Sequence, residues 1–130
     1  MKTFWQTIWV ALSMYSRLPV PRTEWNSKNM RYALCALPLV GVFSGISLWL
    51  WDWLCRALEP GEMLLGAGVV LLPILVTGGI HMDGFLDVTD ARSSFQSRER
   101  KLEILKDSHA GAFAIIMGCS YFVLALGVWS

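Results

Sequence analysis

The sequence lacks charge in three long stretches. Residues 32–51, 63–80 and 110–130 contain no Asp, Glu, Lys or Arg, although 16% of the whole chain is charged. A soluble core spreads its polar positions at the period of a helix or a strand and does not exclude charge from blocks of about 20 residues. The pattern argues against a soluble globular domain and predicts about three transmembrane helices.

The chain also has few cysteines and almost no net charge. Its three cysteines, Cys35, Cys55 and Cys119, show neither CxxC nor Cys/His spacing, so we expect free, buried thiols rather than disulfides or a zinc site. A formal net charge of +1 gives no electrostatic basis for binding nucleic acid. The composition therefore predicts an all-α, polytopic integral membrane helical bundle in a lipid bilayer, with one membrane domain over residues 1–130.

The N-terminal residues 3–16 are uncharged but too short for a span. Their bulky apolar side chains fall on one side of a helix: Phe4, Trp5, Ile8, Trp9 and Leu12. Fourteen helical residues reach about 21 Å, which is short of the ~30 Å hydrocarbon core. An interfacial helix therefore fits this segment better than a cleaved signal or a span.

The predicted spans contain residues that shape helix packing. Gly41 and Gly45 have GxxxG spacing, which lets another helix approach their backbone. Pro38 predicts a kink in the first span, and the second span ends in the flexible Thr77-Gly78-Gly79.

Positive charge is distributed unevenly about these spans. Of the eleven Lys and Arg residues, only Arg56 lies in the connector predicted at residues 52–62. The others precede the first span or lie in residues 81–109, and these two regions share one side of a three-span protein. By the positive-inside rule that side is cytoplasmic. We therefore expect a multi-pass protein of the cell (inner) membrane, with residues 81–109 in the cytoplasm.

Three carboxylates directly follow the second span. Asp83, Asp87 and Asp90 recur at i, i+4 and i+7, which places like charges on one helical stripe. Carboxylate-rich, sulfur-free sites suit Mg²⁺ or Mn²⁺, and Gly84 would let a ligand approach the backbone. A structural alternative stays open, because Asp83 also suits the first turn of a helix and Arg92 could neutralise one of the others.

A basic run precedes the third span. Residues 97–106 predict a short cytoplasmic helix with Ser97 near its start. Asp107, Ser108 and His109 follow it, and a carboxylate, a hydroxyl and an imidazole at a membrane boundary could bind phosphate or metal. Ser108 is explained more simply as the N-cap of the third span. Taken singly, His81 and His109 are each more typical of structural hydrogen bonding than of a ligand.

Four motifs, in order, resemble the cobalamin synthase family, also called adenosylcobinamide-GDP ribazoletransferase. They are Tyr15-Ser16-Arg17-Leu18-Pro19-Val20-Pro21, Leu37-Pro38-Leu39-Val40-Gly41, Thr77-Gly78-Gly79-Ile80-His81-Met82-Asp83-Gly84-Phe85-Leu86-Asp87-Val88-Thr89-Asp90, and the segment from Arg98 to Gly111. The chain departs from the family pattern at Ala91, where the family has Gly, and at His109, where it has Arg. Family members are about twice as long, so the resemblance implies an N-terminal half, that is, a partial domain.

The resemblance implies a Mg²⁺-dependent transferase of the coenzyme B12 nucleotide loop. A ribose hydroxyl of α-ribazole, or of its 5′-phosphate, attacks the phosphate of adenosylcobinamide-GDP and GMP leaves. The implied metal ligands are Asp83, Asp87 and Asp90, with Asp107 a weaker catalytic candidate. The implied contacts to substrate and phosphate are Arg98, Arg100, Lys106, His109 and Gly84.

Two other functions stay open. A CDP-alcohol-phosphotransferase-like membrane enzyme also uses an acidic Mg²⁺ motif, but Leu86-Asp87 occupies the position of its Ala-Arg pair. A non-catalytic membrane subunit or an inactive fragment would fit a missing C-terminal half or an oligomeric partner. Binding of Mg²⁺ and a GDP-linked corrinoid separates an enzyme from a subunit.

Overall fold

Helices are the only regular secondary structure in the part of the chain that the structure describes. The computed structural model describes residues 2–23, 25–107 and 109–130. Its elements are α1 Lys2–Tyr15, α2 Ser27–Met30, a 3-10 turn Ala33–Ala36, α3 Leu37–Leu58, α4 Glu62–Thr77, α5 Ile80–Ser93, α6 Arg98–Ile104 and α7 Ala112–Trp129. The predicted all-α membrane class is confirmed.

Two helical segments are long and apolar enough to cross a membrane, Ala33–Leu58 and Ala112–Trp129. A third span exists only if α4 and α5 are counted together, and they meet at a 94° bend. The 16 residues of α4 reach about 24 Å, less than the ~30 Å hydrocarbon core. The second of the three predicted spans is therefore a short helix that continues sideways into the acidic helix α5.

A pair of glycines makes this bend. Gly78 and Gly79 have φ values of +68° and +82°, in the left-handed region that side chains with a Cβ rarely adopt. The Gly79 N–H donates to the Ile74 carbonyl at 2.9 Å, which closes the end of α4. The predicted end of the second span at Thr77-Gly78-Gly79 is thus a defined turn.

The connector predicted after the first span is mostly helix. The Arg56 guanidinium donates to Asp52 one turn earlier, with Nε and Oδ2 2.7 Å apart, and this pair supports the continuation of α3. Glu59 then has a left-handed φ of 47°, and Pro60, which cannot continue a helix, follows. The connection between α3 and α4 is therefore only residues 59–61.

Pro38 does not kink the first span. It lies in the first turn of α3, where the missing N–H of a proline removes no helical hydrogen bond. The irregular backbone lies before the proline, in the 3-10 turn. Pro73 is inside α4 instead, and the Thr77 hydroxyl donates to its carbonyl at 2.8 Å.

The close helix contacts use glycines other than Gly41 and Gly45. A Cβ built on either of these would meet nothing within 4 Å, so no helix described here packs on the predicted GxxxG face. Instead α3 approaches α4 at Gly68, where the ring of Trp51 lies against the glycine. The Trp51 Nε1–H also donates to the Leu65 carbonyl at 3.1 Å.

The last helix packs beside the bent pair. A Cβ on Gly66 of α4 would lie 2.8 Å from the Trp129 carbonyl oxygen, near the end of α7. A Cβ on Gly118 of α7 would lie 3.0 Å from a methyl of Leu86 in α5. These contacts fix α7 against both arms of the bend.

The N-terminal helix α1 contributes to a buried apolar cluster among the described residues. Val10 and Ala11 are fully buried against Ala33 and Ala36, whereas Phe4, near the start of α1, is 66% exposed. The predicted helix over residues 3–16 is confirmed, and its interfacial position stays a prediction.

Most large apolar side chains of α3 and α7 point outward, as lipid-facing side chains do. The three cysteines are free, as expected. Cys55 is buried, but Cys35 and Cys119 are exposed, so the expectation that all three are buried is wrong. In a membrane helix an apolar residue has no need of a protein core, because lipid is equally apolar.

Gly68→Ala should lower the free energy of unfolding by about 1–3 kcal/mol, because the new Cβ would overlap the Trp51 ring. Gly45→Ala is the matched control. It is also inside a helix but has open space, so it should be neutral or stabilising by up to about 1 kcal/mol. Denaturation in detergent micelles measures both variants, and equal stability of the two would contradict the packing described at Gly68.

Candidate functional site

The acidic helix α5 carries the three predicted aspartates. Asp83 lies in its first turn and is exposed, whereas Asp87 and Asp90 lie in later turns and are half-buried. The predicted helical stripe is confirmed. None of the three forms an ion pair with a described residue, and the alternative pairing with Arg92 is not formed.

The stripe does not close into a metal site with three protein ligands. Within residues 2–23, 25–107 and 109–130, no three His, Cys, Asp or Glu side chains converge closely enough to hold an ion. Seven residues of helix rise about 10.5 Å, whereas Mg²⁺ binds oxygens at about 2.1 Å. A cation on this face would therefore take one or two carboxylates, and the joint metal role of Asp83, Asp87 and Asp90 stays a prediction.

The side chain of Asp90, which belongs to α5, lies beside the N-terminus of α7. Gly111 is the N-cap of that helix, and a Cβ built on it would overlap both carboxylate oxygens of Asp90. Only glycine leaves room for this approach, and the positive end of the helix dipole favours a carboxylate there. Asp90 thus connects α5 to α7, which the helical spacing of the acids did not predict.

Asp107 and His109 interact with each other between α6 and α7. Ser108 lies outside the described residues, and the N-cap of α7 is Gly111 instead. The Nδ1 of His109 lies 2.6 Å from Oδ1 of Asp107, and the His109 backbone N–H donates to the same oxygen at 3.0 Å. These two hydrogen bonds hold the pKa of the Asp107 carboxyl below its ordinary value. Both side chains are largely exposed, so a ligand in solution can reach the pair.

Of the residues predicted to contact substrate and phosphate, Gly84 lies on α5, whereas the others lie on α6 or between α6 and α7, and α6 packs on α5. The Ser97 hydroxyl caps α6 by accepting the N–H of Arg100, as the sequence predicts. The Arg100 side chain pairs with Glu103 in the next turn. Arg98 and Lys106 form no ion pair with any described residue, so they are the more available cations.

A further basic residue lies at the bend, and the sequence analysis assigned it no role. The backbone N–H of Arg17 donates to the Val76 carbonyl, in the last turn of α4, at 2.9 Å. A Cβ on Gly78 would lie 2.6 Å from the Arg17 Cγ, so the arginine stem lies over the glycine. The sequence pattern that could have drawn attention to Arg17 is the motif Arg17-Leu18-Pro19-Val20-Pro21. Its prolines keep the backbone extended beside the bend.

A comparison with protein-family models places this arrangement in a known family. The model described as cobalamin-5-phosphate synthase (CobS) matches residues 7–130, which include α5, α6, α7 and Arg17. The chain belongs to the cobalamin-5-phosphate synthase family. The resemblance noted in the sequence is therefore confirmed.

Similar proteins of the cobalamin-5-phosphate synthase family carry the name adenosylcobinamide-GDP ribazoletransferase. The chain is 49% identical to the one from Lachnoclostridium phytofermentans over 124 residues, 95% of this chain and 48% of the relative. It is 38% identical to one from Clostridium perfringens over 116 residues, 89% and 46% of the two lengths. One from Listeria monocytogenes is 35% identical over 119 residues, 91% and 48% of the two lengths.

The chain spans about half the length of the curated relatives it matches. No solved structure matches it. The structure therefore describes the part of a cobalamin-5-phosphate synthase fold that this chain covers.

His109→Ala should raise the pKa of Asp107 towards its ordinary value, because it removes the imidazole that hydrogen-bonds the carboxylate. The direction of this pKa shift also determines how the stability of the fold depends on pH. A lowered pKa means that the pairing stabilises the fold above the ordinary Asp pKa, and that this stabilisation is lost as pH falls through the lowered value.

Carboxyl ¹³C chemical shifts recorded against pH measure this change. His81→Ala is the control, since no hydrogen bond between His81 and Asp107 is present. An Asp107 pKa that is unchanged in His109→Ala, or equally raised in His81→Ala, would contradict the pairing.

Proposed function

We propose that the chain carries the metal- and phosphate-binding part of a coenzyme B12 nucleotide-loop transferase. The reaction joins adenosylcobinamide-GDP to α-ribazole, or to its 5′-phosphate, and releases GMP. The observation that carries the proposal is the aspartate stripe of α5, without ion pairs to described residues, beside the basic helix α6. The names of the relatives supply the substrate.

The donor set on α5 fits a hydrated magnesium ion. Asp83 and Asp87 offer oxygen ligands without a described cation partner, and Gly84 lies between them in open space, since a Cβ there would meet nothing within 4 Å. Mg²⁺ keeps several waters and is completed by substrate phosphates, so two carboxylates suffice. Asp90 faces α7 and Asp107 is hydrogen-bonded to His109, which makes both weaker candidate ligands.

The proposed step is a phosphoryl transfer. The ribose hydroxyl oxygen bonds to the phosphorus that carries the cobinamide, the bond from that phosphorus to the bridging oxygen breaks, and GMP leaves with that oxygen. The hydroxyl proton goes to solvent. When bound, Mg²⁺ supplies neutralisation of the diphosphate charge, and the protein's main contribution is positioning and further neutralisation.

Within this proposal the basic residues orient the phosphates. Arg98, on the helix that packs against α5, and Lys106, which follows that helix, carry positive charge without a described acidic partner. Arg100 would first have to exchange Glu103 for a phosphate. We also propose that α5 and α6 face the cytoplasm at the cell inner membrane, since all Lys and Arg residues except Arg56 lie on that predicted side.

Asp87→Asn should lower Mg²⁺-dependent GMP release at least about tenfold, because it removes a charged ligand at the centre of the stripe. Asp52→Asn is the matched control, since Asp52 pairs with Arg56 in α3 and lies outside the proposed site. We would assay the chain alone and with the remaining half of the Lachnoclostridium phytofermentans relative supplied in trans. Equal GMP release by both variants would overturn the metal role.

A non-catalytic membrane subunit is the second candidate, because no three metal-ligating side chains of the described residues converge on one position. The same preparations test it through binding of Mg²⁺ and adenosylcobinamide-GDP. A subunit should bind neither, whereas the proposed transferase part should bind both.

A further inference from the structure

Arg17 is anchored at the bend through both its backbone and its side-chain stem. Its N–H donates to the Val76 carbonyl at 2.9 Å. Its Cγ and Cδ lie 2.6 and 3.1 Å from the position a Cβ would take on Gly78. A side chain at residue 78 would displace the arginine, so the glycine serves this contact as well as the turn.

The head of this side chain is free, whereas two other arginines are paired. Arg56 and Arg100 each contact a carboxylate on their own helix. Arg17 is exposed, and it has no ion pair or side-chain hydrogen bond within the described part of the chain. A cation with a fixed stem and an unoccupied guanidinium is preorganised for an anion that arrives from solution.

The surroundings of Arg17 combine a cation with a carboxylate. An open groove beside the bend is lined by Gly78, Gly79 and Asp83, together with apolar side chains of α4 and α5. Arg17 itself does not line the groove, but its stem lies over Gly78, which does, and Asp83 belongs to the acidic stripe. Both groups suit a magnesium-bound diphosphate, because a carboxylate binds the cation and a guanidinium donates to two non-bridging oxygens at once.

We propose that Arg17 binds the diphosphate of the nucleotide-linked substrate at the α4–α5 bend. The inference rests on the proposed function for the identity of the substrate, but it assigns a phosphate contact to a residue outside the acidic and basic segments 81–109. Because the contact is made by a guanidinium on phosphate oxygens, it should depend on phosphate and not on the guanine base.

Binding of GDP, pyrophosphate and guanosine to the full chain tests this assignment. The chain would be held in nanodiscs of zwitterionic phosphatidylcholine with Mg²⁺ present. Arg17→Gln should weaken GDP and pyrophosphate binding at least tenfold and leave guanosine binding unchanged. Arg17→Lys keeps the charge and most of the stem but not the bidentate geometry, so it should recover part of the lost affinity.

Arg22→Gln is the matched control. Arg22 is also exposed and lies in the same extended segment, but it has no described contact with the bend. Its GDP affinity should stay within twofold of the parent chain. Equal effects of Arg17→Gln and Arg22→Gln would overturn the inference and leave the proposed function standing, as would equal loss of guanosine and GDP binding.

Two further arms separate the possible sources of phosphate. If Arg17→Gln leaves GDP and pyrophosphate binding unchanged and lowers only the amount of phosphatidylglycerol that copurifies with the chain, the anion is a lipid headgroup and the inference is wrong. If the parent chain releases no GMP but binds pyrophosphate through Arg17, the diphosphate site stands and the transferase proposal fails. If the parent chain binds neither GDP nor pyrophosphate, the inference is overturned.

Discussion

The arrangement of this chain depends on a left-handed turn at two consecutive glycines. Gly78 and Gly79 end an apolar helix and start an acidic one, and the two axes meet at 94°. Charged side chains are costly in hydrocarbon, so a straight continuation of α4 would carry Asp83 and its neighbours into an unfavourable environment. The bend lets the acidic helix leave the direction of the span while remaining attached to it.

The other helices hold this bend in place. α7 contacts both arms, at Gly66 of α4 and at Leu86 and Asp90 of α5. The extended segment that follows α1 also contacts the bend, because the Arg17 N–H donates to a carbonyl in the last turn of α4. Elements distant in sequence therefore meet at one edge of the bundle. The acidic and basic residues proposed to bind metal and phosphate are concentrated there.

Sequence periodicity predicted the local structure of this edge but not its long-range contacts. The i, i+4, i+7 spacing correctly placed Asp83, Asp87 and Asp90 on one helix, because helical period is a local property. The approach of Asp90 to Gly111 depends on how α5 packs on α7, which spacing does not encode. For the same reason the sequence pattern singled out the motif containing Arg17 without showing what it contacts.

The errors at the span boundaries have a similar origin. Absence of charge marked the first span, yet α3 continues through Asp52 and Arg56 because an ion pair on one helix face is compatible with helix. The GxxxG spacing at Gly41 and Gly45 indicated a possible close approach, but the partner is decided by tertiary packing, and the described helices meet at Gly66, Gly68 and Gly118 instead.

The direction of α5 relative to the bilayer shows whether the glycine turn takes the aspartates out of the path of the span. Single spin labels at successive positions from residue 82 to residue 92, on a cysteine-free chain in nanodiscs, would report accessibility to oxygen and to a water-soluble nickel complex. A helix turned along the membrane edge predicts nickel accessibility that repeats every 3.6 residues and peaks on the aspartate face. Nickel accessibility that falls steadily along α5, with oxygen dominating at every deeper position, would mean that α5 continues the span and that the glycine turn does not redirect it.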